Sequence, residues 1–130
     1  ILIGCNDVGV MMNTGKSLEE QQFEACYEAI LKEITEQSDA KLICMSPFIV
    51  PYPRMYENWI PGIKQTERIE KKIAEKYHAD FLTLQDMIIL KAEKAGYECV
   101  TTDGIHLTEY GNEIIAGAWL QLFEKIKDGD

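Results

Sequence analysis

The chain has 130 residues, the size of one domain, and 46% of them are hydrophobic, which is enough for a core. Its 13 basic and 22 acidic side chains give a formal net charge of −9, which argues against nucleic acid or an anionic membrane surface as a partner. No run of 18 or more apolar residues is present, so the sequence predicts no transmembrane span.

The first part of the chain predicts a strand, a loop and a helix. Residues 1–4 form an apolar run that is typical of a buried strand. Residues 8–17 hold two glycines and an asparagine and are predicted to form a loop. A capping-box pattern at residues 17–20 predicts a helix that begins at about Leu18. Its core-facing stripe is predicted to be Phe23, Cys26, Tyr27, Ile30, Leu31 and Ile34.

Two short apolar runs in the middle of the chain predict further strands. Residues 42–45 and 81–84 are continuous runs, which are typical of strands buried on both faces of a parallel sheet. Between them, residues 47–61 contain all four prolines and are predicted to form neither a regular helix nor a central strand. A helix is predicted over about 64–78.

Two more helices are predicted near the end of the chain. Residues 85–95 predict a helix that stops near Gly96, and residues 109–126 predict the last one. This alternation of strands and helices predicts an α/β domain with a parallel sheet and helices on both faces. The last helix is predicted to bury Ile114, Ile115, Ala118, Trp119, Leu122, Phe123 and Ile126.

The four cysteines are predicted to be buried free thiols, because three lie in apolar segments and none forms a C-x-x-C pair. A disulfide or a zinc site is the alternative. The sequence leaves the location open, and free thiols favour a reducing compartment such as the cytoplasm. The cysteines are Cys5, Cys26, Cys44 and Cys99.

A carboxylate and an imidazole lie close together ahead of the last helix. Asp103 and His106 are three residues apart in a turn that contains a glycine, so the carboxylate can bind one ring nitrogen and leave the other free as a base. In parallel sheets, functional side chains gather beyond the carboxyl ends of the strands. Asn6 and Asp7 follow the first predicted strand, so we expect the two ends of the chain to converge at this edge.

Simpler interpretations of these residues exist. Asp103 can cap a turn beside a surface histidine, and Asp7 can be a local hydrogen-bonding residue. A metal site formed by Asp7, Asp103 and His106 lacks the usual ligand spacing, so no metal is predicted. His78, at a predicted helix end, is interpreted as structural.

Two blocks resemble the SGNH (GDSL-type) hydrolase family. Gly4-Cys5-Asn6-Asp7 resembles its G-x-N-D block, and the run from Asp103 to Asn112 resembles its closing D-x-x-H block with the helix start that follows. The separation of the blocks is also similar, and the resemblance spans essentially the whole chain. It implies a flavodoxin-like, three-layer α/β/α fold with a parallel sheet. Residues 1–130 would be the C-terminal part of this esterase domain, without its N-terminal strands.

The resemblance implies hydrolysis of carboxylic esters through an acyl-enzyme. His106 would be the general base, and Asp103 would fix its tautomer and stabilise the imidazolium. Asn6 would donate its side-chain amide to the oxyanion of the tetrahedral intermediate. The implied partner is a small-molecule ester, and no cofactor is needed.

The chain departs from the family pattern at the nucleophile. The family's N-terminal G-D-S block and the glycine block after it are absent, and Ser17, Ser38 and Ser46 have no elbow motif around them. Cys5 is another weak candidate. We expect the serine and two strands to precede Ile1 in the natural protein. Without them the first strand has an open edge through which the chain could associate.

A segment rich in aromatic residues and prolines follows the second predicted strand. Within it, Tyr52 and Trp59 are the candidate substrate-binding residues, and the alternative is a loop that closes the core. Rival functions are a non-catalytic fragment or binding domain of the same fold, and a related acyltransferase. The sequence does not choose among short acyl esters, acetylated sugars and lipids.

Overall fold

A small parallel sheet lies among helices in the computed structural model of the chain, which describes residues 1–129. Strands β1 (Ile43–Met45) and β2 (Asp80–Leu82) pair in parallel, with Cys44 opposite Phe81. On the other side of β1, Leu2 adds a single parallel bridge to Met45. The predicted strand at residues 1–4 is therefore reduced to one bridge, and both central strands are confirmed.

Helices make up most of residues 1–129. The described part of the chain contains six α-helices and a 3-10 helix at Arg54–Trp59. None of these helices is both long enough and apolar enough to cross a bilayer. The α-helices are α1 (Cys5–Thr14), α2 (Phe23–Gln37), α3 (Ile60–Lys76), α4 (Gln85–Ala95), α5 (Tyr97–Val100) and α6 (Glu109–Asp128).

The predicted loop at residues 8–17 is wrong, because α1 occupies most of it. Gly9 is buried in this helix, and a Cβ atom there would lie 3.2 Å from Cη2 of Trp59. The glycine thus allows a close contact, which offsets its cost of about 1 kcal/mol in a helix. Gly15, with a φ of 78°, ends α1 in the left-handed region.

Helix α2 begins later than the capping box predicts. The box itself forms, since the backbone N–H of Glu20 donates to Ser17 Oγ at 3.0 Å. The backbone then turns at Gln22, which has a φ of 57°, and the regular helix starts at Phe23. Of the predicted stripe, Phe23, Tyr27 and Leu31 are buried, whereas Cys26 and Ile30 are exposed.

The proline-rich segment ends in helical structure. Helix α3 begins at Ile60 and carries Pro61 in its first turn. Backbone N–H groups in the first turn have no acceptor within the helix, so the missing N–H of proline costs no hydrogen bond there. The predictions for α4 and α6 are confirmed in position. Helix α4 ends at Gly96, and the side chain of Thr108 caps α6 by accepting a bond from the N–H of Gly111 at 3.1 Å.

The core consists of three clusters of buried side chains. The first joins α2, β1 and α3, and the third lies below α4 and α5. The second, which we call the α1 cluster, consists of Val8, Ile49, Trp59 and Ile63. The α1 cluster lies beneath the first helix and the 3-10 helix, and it is the one that supports the candidate site described below.

The predicted burial of α6 is wrong in this chain. None of its seven apolar stripe residues is fully buried, and Phe123 is 39% exposed. Ile114 and Ile115 pack against the third cluster, and the helix contacts α4, α5 and β2. The residues of α4, α5 and β2 that contact α6 cover only part of its apolar stripe, so the outer part of the stripe faces solvent.

The prediction of four buried thiols is also only partly right. All four cysteines are free, as expected. Cys44 is buried and Cys5 is half-buried, but Cys26 and Cys99 are exposed. Cys26 shows the reason most clearly. It lies at the outer edge of the apolar stripe of α2, where the side chain faces solvent and not the core.

Candidate active site

The loop between α5 and α6 is closed by its own hydrogen bonds. Thr101 and Leu107 form an antiparallel bridge across it. The Thr101 hydroxyl donates to the backbone oxygen of His106 at 2.7 Å and accepts from the N–H of Gly104 at 2.7 Å. Thr101 is buried, and its two hydrogen bonds fix a loop whose outer residues are exposed.

Asp103 is the acceptor for three hydrogen bonds in this loop. Its Oδ1 atom accepts from the backbone N–H of Ile105 at 2.9 Å and of His106 at 2.7 Å. Its Oδ2 atom lies 2.7 Å from Nδ1 of the His106 ring. The bonds from the His106 backbone, the His106 ring and the Ile105 backbone lower the pKa of Asp103 to about 2.

The ionised Asp103 determines the tautomer of His106. A carboxylate only accepts hydrogen bonds, so the His106 Nδ1 atom that faces it carries the proton. The other ring nitrogen, Nε2, is then unprotonated in the neutral ring. Because the His106 side chain is 77% exposed, an incoming group can reach this nitrogen. The predicted pairing of carboxylate and imidazole is therefore present in the structure.

Gly104 docks the loop on the proline-rich segment. It has a φ of 96°, and its backbone oxygen accepts a bond from the N–H of Val50 at 2.9 Å. A Cβ atom at this position would lie 2.5 Å from Cδ2 of Tyr56 and 2.8 Å from the backbone oxygen of Val50. The sequence analysis did not predict this contact. The glycine between Asp103 and His106 is the only signal in the sequence that could have indicated it.

Both ends of the chain contact the α1 cluster. Ile105, beside His106, packs against it, and so does Cys5, beside Asn6. Asn6 itself is exposed in the first turn of α1, and its side chain has no hydrogen-bond partner within residues 1–129. Residues next to Asn6 and next to His106 thus contact the same group of buried side chains.

Gly4 sets the start of α1 and therefore the place of Asn6. It has a φ of 122°, which favours glycine, and its backbone oxygen accepts from the N–H of Val8 at 3.2 Å. Asp7 is half-buried in the same turn, where its backbone oxygen accepts a bond from Gln21 Nε2 at 3.1 Å. This contact agrees with a local structural role for Asp7.

The structure does not bring the two aromatic candidates together. Tyr52 is 45% exposed and lines a surface hollow with Pro51, Pro53 and Tyr97. Trp59 is only 7% exposed, and its ring lies 4.7 Å from that of Tyr56, edge to face, within the α1 cluster. The burial of Trp59 favours the core-closing alternative, whereas Tyr52 is free to contact a ligand.

Each serine of the chain has a structural hydrogen-bond partner. Ser46 is fully buried, and its Oγ atom accepts from the N–H of Leu84 at 2.7 Å. Ser17 pairs with Glu20, and Ser38 accepts from the N–H of Ala40 at 3.0 Å. None of the three is hydrogen-bonded to His106 in the described structure.

Neither a thiol nucleophile nor a metal site is favoured. Burial, with a further contribution from Asp7, raises the pKa of the Cys5 thiol, which is the opposite of what a reactive thiolate needs. Across residues 1–129, no group of three or more His, Cys, Asp and Glu side chains is arranged to hold a metal ion. The alternative site of Asp7, Asp103 and His106 is therefore not formed.

Solved structures identify the fold. An acetylxylan esterase from Geobacillus stearothermophilus matches 93% of this chain with 25% identity and a TM-score of 0.74. A protein described as a GDSL-like lipase from Parabacteroides merdae matches 93% with 22% identity and a TM-score of 0.81. The fold is that of the SGNH (GDSL-type) hydrolases. An alpha/beta hydrolase enzyme from the metagenome of Lake Arreo, Spain, also matches, with 18% identity and a TM-score of 0.77 over 92% of the chain.

The chain spans 56–57% of the length of these three solved structures. This extent is consistent with the C-terminal part of an SGNH hydrolase, which the two sequence blocks predict. No protein-family model and no curated protein sequence matches the chain. The assignment of the SGNH fold therefore rests on three-dimensional similarity together with the α/β arrangement described above.

Proposed function

We propose that this chain carries the base and the oxyanion donor of a serine esterase that hydrolyses carboxylic esters. The observation that carries the proposal is the 2.7 Å contact between Asp103 Oδ2 and His106 Nδ1, which leaves Nε2 accessible. Cys5, next to Asn6, and Ile105, next to His106, pack on the same α1 cluster, which supports the convergence of the two blocks. Structures of the same fold include proteins named as an acetylxylan esterase and a GDSL-like lipase, which supports ester hydrolysis in general.

The proposed reaction begins with a serine that lies outside these 130 residues. His106 Nε2 takes the proton of the serine hydroxyl, and the oxygen attacks the ester carbonyl carbon. The Asn6 amide donates to the oxyanion that forms, an interaction typically worth about 10²–10³ in rate. His106 then gives the proton to the leaving alcohol as the carbon–oxygen bond breaks, and a water molecule releases the acid by the same steps.

Asp103 remains ionised throughout this cycle. Because three hydrogen bonds lower its pKa to about 2, it stays a carboxylate next to the imidazolium instead of taking the proton. Its role is to hold the ring in one tautomer and to stabilise the positive charge that develops. We propose this role for Asp103 and the general-base role for His106.

Short acyl esters, including acetylated sugars, are the substrate class that we favour. One structure at 25% identity is an acetylxylan esterase, and Tyr52 presents an exposed ring on which a sugar could stack. Trp59 lies in the core, so any contribution to substrate binding would be indirect, through the position of Tyr56. A test on acetylated xylo-oligosaccharides and longer acyl esters will compare kcat/KM between these classes.

The chain offers a matched pair of histidines for the decisive test. In the natural full-length protein, we expect His106→Asn to lower kcat for p-nitrophenyl acetate by roughly three or more orders of magnitude. His78→Asn is the control, since asparagine tolerates the φ of 55° at that position and His78 lies at the far end of α3. Near-native turnover by a folded His106→Asn protein would refute the proposed function.

Two rival functions give different results in the same assay. An acyltransferase would pass the acetyl group to an added alcohol in preference to water, which product analysis detects. A non-catalytic binding domain would show no turnover in the wild-type full-length protein while retaining affinity for the ester. The 130-residue chain by itself should show no turnover, because none of its serines is placed beside His106.

A further inference from the structure

Helix α3 presents a row of three residues to α1. Gly62, Thr66 and Glu70 follow one another at steps of four, so they lie along one side of the helix. A Cβ atom at Gly62 would lie 2.9 Å from Cγ1 of Val8 in α1. A Cβ atom at Gly4 would lie 2.8 Å from Cγ2 of Thr66 and 3.3 Å from Oε1 of Glu70. The start of α1 therefore rests directly on this row.

Glu70 is the one member of the row with an unsatisfied polar group. The Thr66 hydroxyl donates to the backbone oxygen of Gly62 at 2.9 Å, so its hydrogen-bonding need is met within the helix. Glu70 is fully buried, and both of its carboxyl oxygens lack a hydrogen-bond partner within residues 1–129. A charged carboxylate without partners would be costly in such a place, whereas the neutral acid costs far less.

The charges around Glu70 also favour the neutral acid. Burial is the largest cause, and Asp7 on α1 and Glu67 on α3 add to it, while the amino group of Ile1 opposes them. Together they raise the pKa of Glu70 to about 9. On the core side, Tyr27 of α2 and Cys44 of β1 also face this carboxyl and are neutral at pH 7.

We propose that Glu70 is a positioning residue for Asn6, its uncharged carboxyl supporting Gly4 and thereby fixing the first turn of α1. This inference rests on the proposed function, in which Asn6 stabilises the oxyanion. Ionisation of Glu70 would require a partner for the carboxylate, and none of the described residues donates a hydrogen bond to it. The start of α1 would have to move, and the Asn6 amide would move with it.

Carbon-detected NMR tests the structural part of this inference without any catalytic readout. In the natural full-length protein, in which we expect the opposing Ile1 amino group to be part of a peptide bond, the 13Cγ resonance of Asn6 should shift between pH 7 and pH 10 with a midpoint no lower than about 9. A Cys5→Ala background removes the neighbouring thiol, so that an ionisation of Cys5 cannot contribute to the shift. The shift should vanish in Glu70→Gln and persist in Glu67→Gln, a matched change one turn away on α3. An unchanged Asn6 resonance in the parent protein, or the same transition in Glu70→Gln, would overturn the inference.

Steady-state kinetics then test the link to catalysis. If the ionised form is inactive, kcat of the Cys5→Ala parent should fall about tenfold between pH 8 and pH 10, with KM little changed. Glu70→Gln should lose this alkaline decline, and Glu67→Gln should keep it. If His106→Asn abolishes turnover but Glu70→Gln has the pH profile of the parent, the esterase proposal stands and the role of Glu70 falls. If the parent itself has no turnover, the esterase proposal falls and the positioning of Asn6 for an oxyanion falls with it.

Discussion

Asp103 binds His106 twice, through the backbone N–H at 2.7 Å and through the ring nitrogen Nδ1 at 2.7 Å. The two residues belong to the same turn, so their relative position depends on a few local bonds rather than on the assembly of the whole domain. The backbone bond fixes the carboxyl group, and the carboxyl group in turn orients the ring. The orientation of the imidazole relative to the carboxylate is therefore set by bonds within residues 103–106.

Replacing Asp103 by asparagine should separate orientation from catalysis. The asparagine oxygen can still accept from the N–H groups of Ile105 and His106, so the turn should persist, but the carboxylate is lost from the ring. In the full-length protein we expect kcat to fall on the order of 10³–10⁴-fold, as steady-state ester hydrolysis would show. Asp86→Asn, which removes an exposed carboxylate paired with Lys64, is the control. Turnover by Asp103→Asn within tenfold of wild type would contradict the role given to Asp103.

The stability of the protein should decline with rising pH because of Glu70. Its pKa is about 9 in the folded chain and lies near the ordinary glutamate value in the unfolded chain. Between these values the folded state holds a proton that the unfolded state has released, so the free energy of unfolding falls as pH rises, by up to about 1.4 kcal/mol per pH unit. Below the unfolded pKa both states are protonated, and this contribution to stability is fully present.

Urea denaturation from pH 5 to pH 9 measures this dependence. Glu70→Gln is neutral at every pH, so it should remove the contribution of Glu70 to the fall of the unfolding free energy with pH. At pH 8 this variant should be more stable than the wild type. Glu67→Gln should keep the decline but end it at a slightly lower pH, because Glu67 adds to the raised pKa of Glu70. Parallel pH dependences in the wild type and Glu70→Gln would mean that Glu70 is not protonated in the folded protein.

Adding a methyl group at Gly104 should destabilise the chain. The alanine Cβ would lie 2.5 Å from Tyr56 and 2.8 Å from the Val50 backbone oxygen, and the φ of 96° is itself unfavourable for alanine. We expect a loss of about 2–3 kcal/mol in urea denaturation. Gly117→Ala is the opposite case, since nothing lies within 4 Å of its added Cβ in α6, and it should stabilise by up to about 1 kcal/mol. Equal effects of the two substitutions would show that the loop is not docked on Tyr56.

The four thiols should differ in their reactivity. Cys26 and Cys99 are exposed, whereas Cys44 is buried and burial raises the pKa of both Cys44 and Cys5. Iodoacetamide at pH 7.5 should therefore alkylate Cys26 and Cys99 at least about tenfold faster than Cys44, as peptide mass spectrometry can quantify. In concentrated urea this difference should disappear. Rapid alkylation of Cys44 in the folded protein would contradict the packing of the first cluster.

The sequence predicts best the elements that carry a continuous or strongly periodic pattern. The apolar run before Pro47 predicts β1, and the end of α4 at Gly96 follows from the preference of glycine for helix ends. The acid–base turn is also predictable, because Asp103 and His106 are local to each other. Their contact needs only a favourable turn and no knowledge of the remaining fold.

Other features depend on contacts that are distant in the chain. Gly9 suggests a loop until Trp59, fifty residues later, is seen to occupy the space above it. The width of the apolar stripe on α6 does not reveal how much of it α4 and α5 cover. Glu70 looks like one more charge of an amphipathic helix, and only its burial against Gly4 distinguishes it from its exposed neighbours Lys71 and Lys72.

The side-chain hydrogen bonds of residues 101–108 begin and end within that segment or at the helix ends beside it, and one backbone bond, from the N–H of Val50 to the Gly104 oxygen, ties it to the rest of the fold. Such a segment is a cassette with a single external hydrogen bond to replace. Grafted between two helices of an unrelated scaffold with a small groove for Ile105, it should deliver an imidazole already aligned by its own carboxylate, ready to activate whatever hydroxyl a designer places opposite.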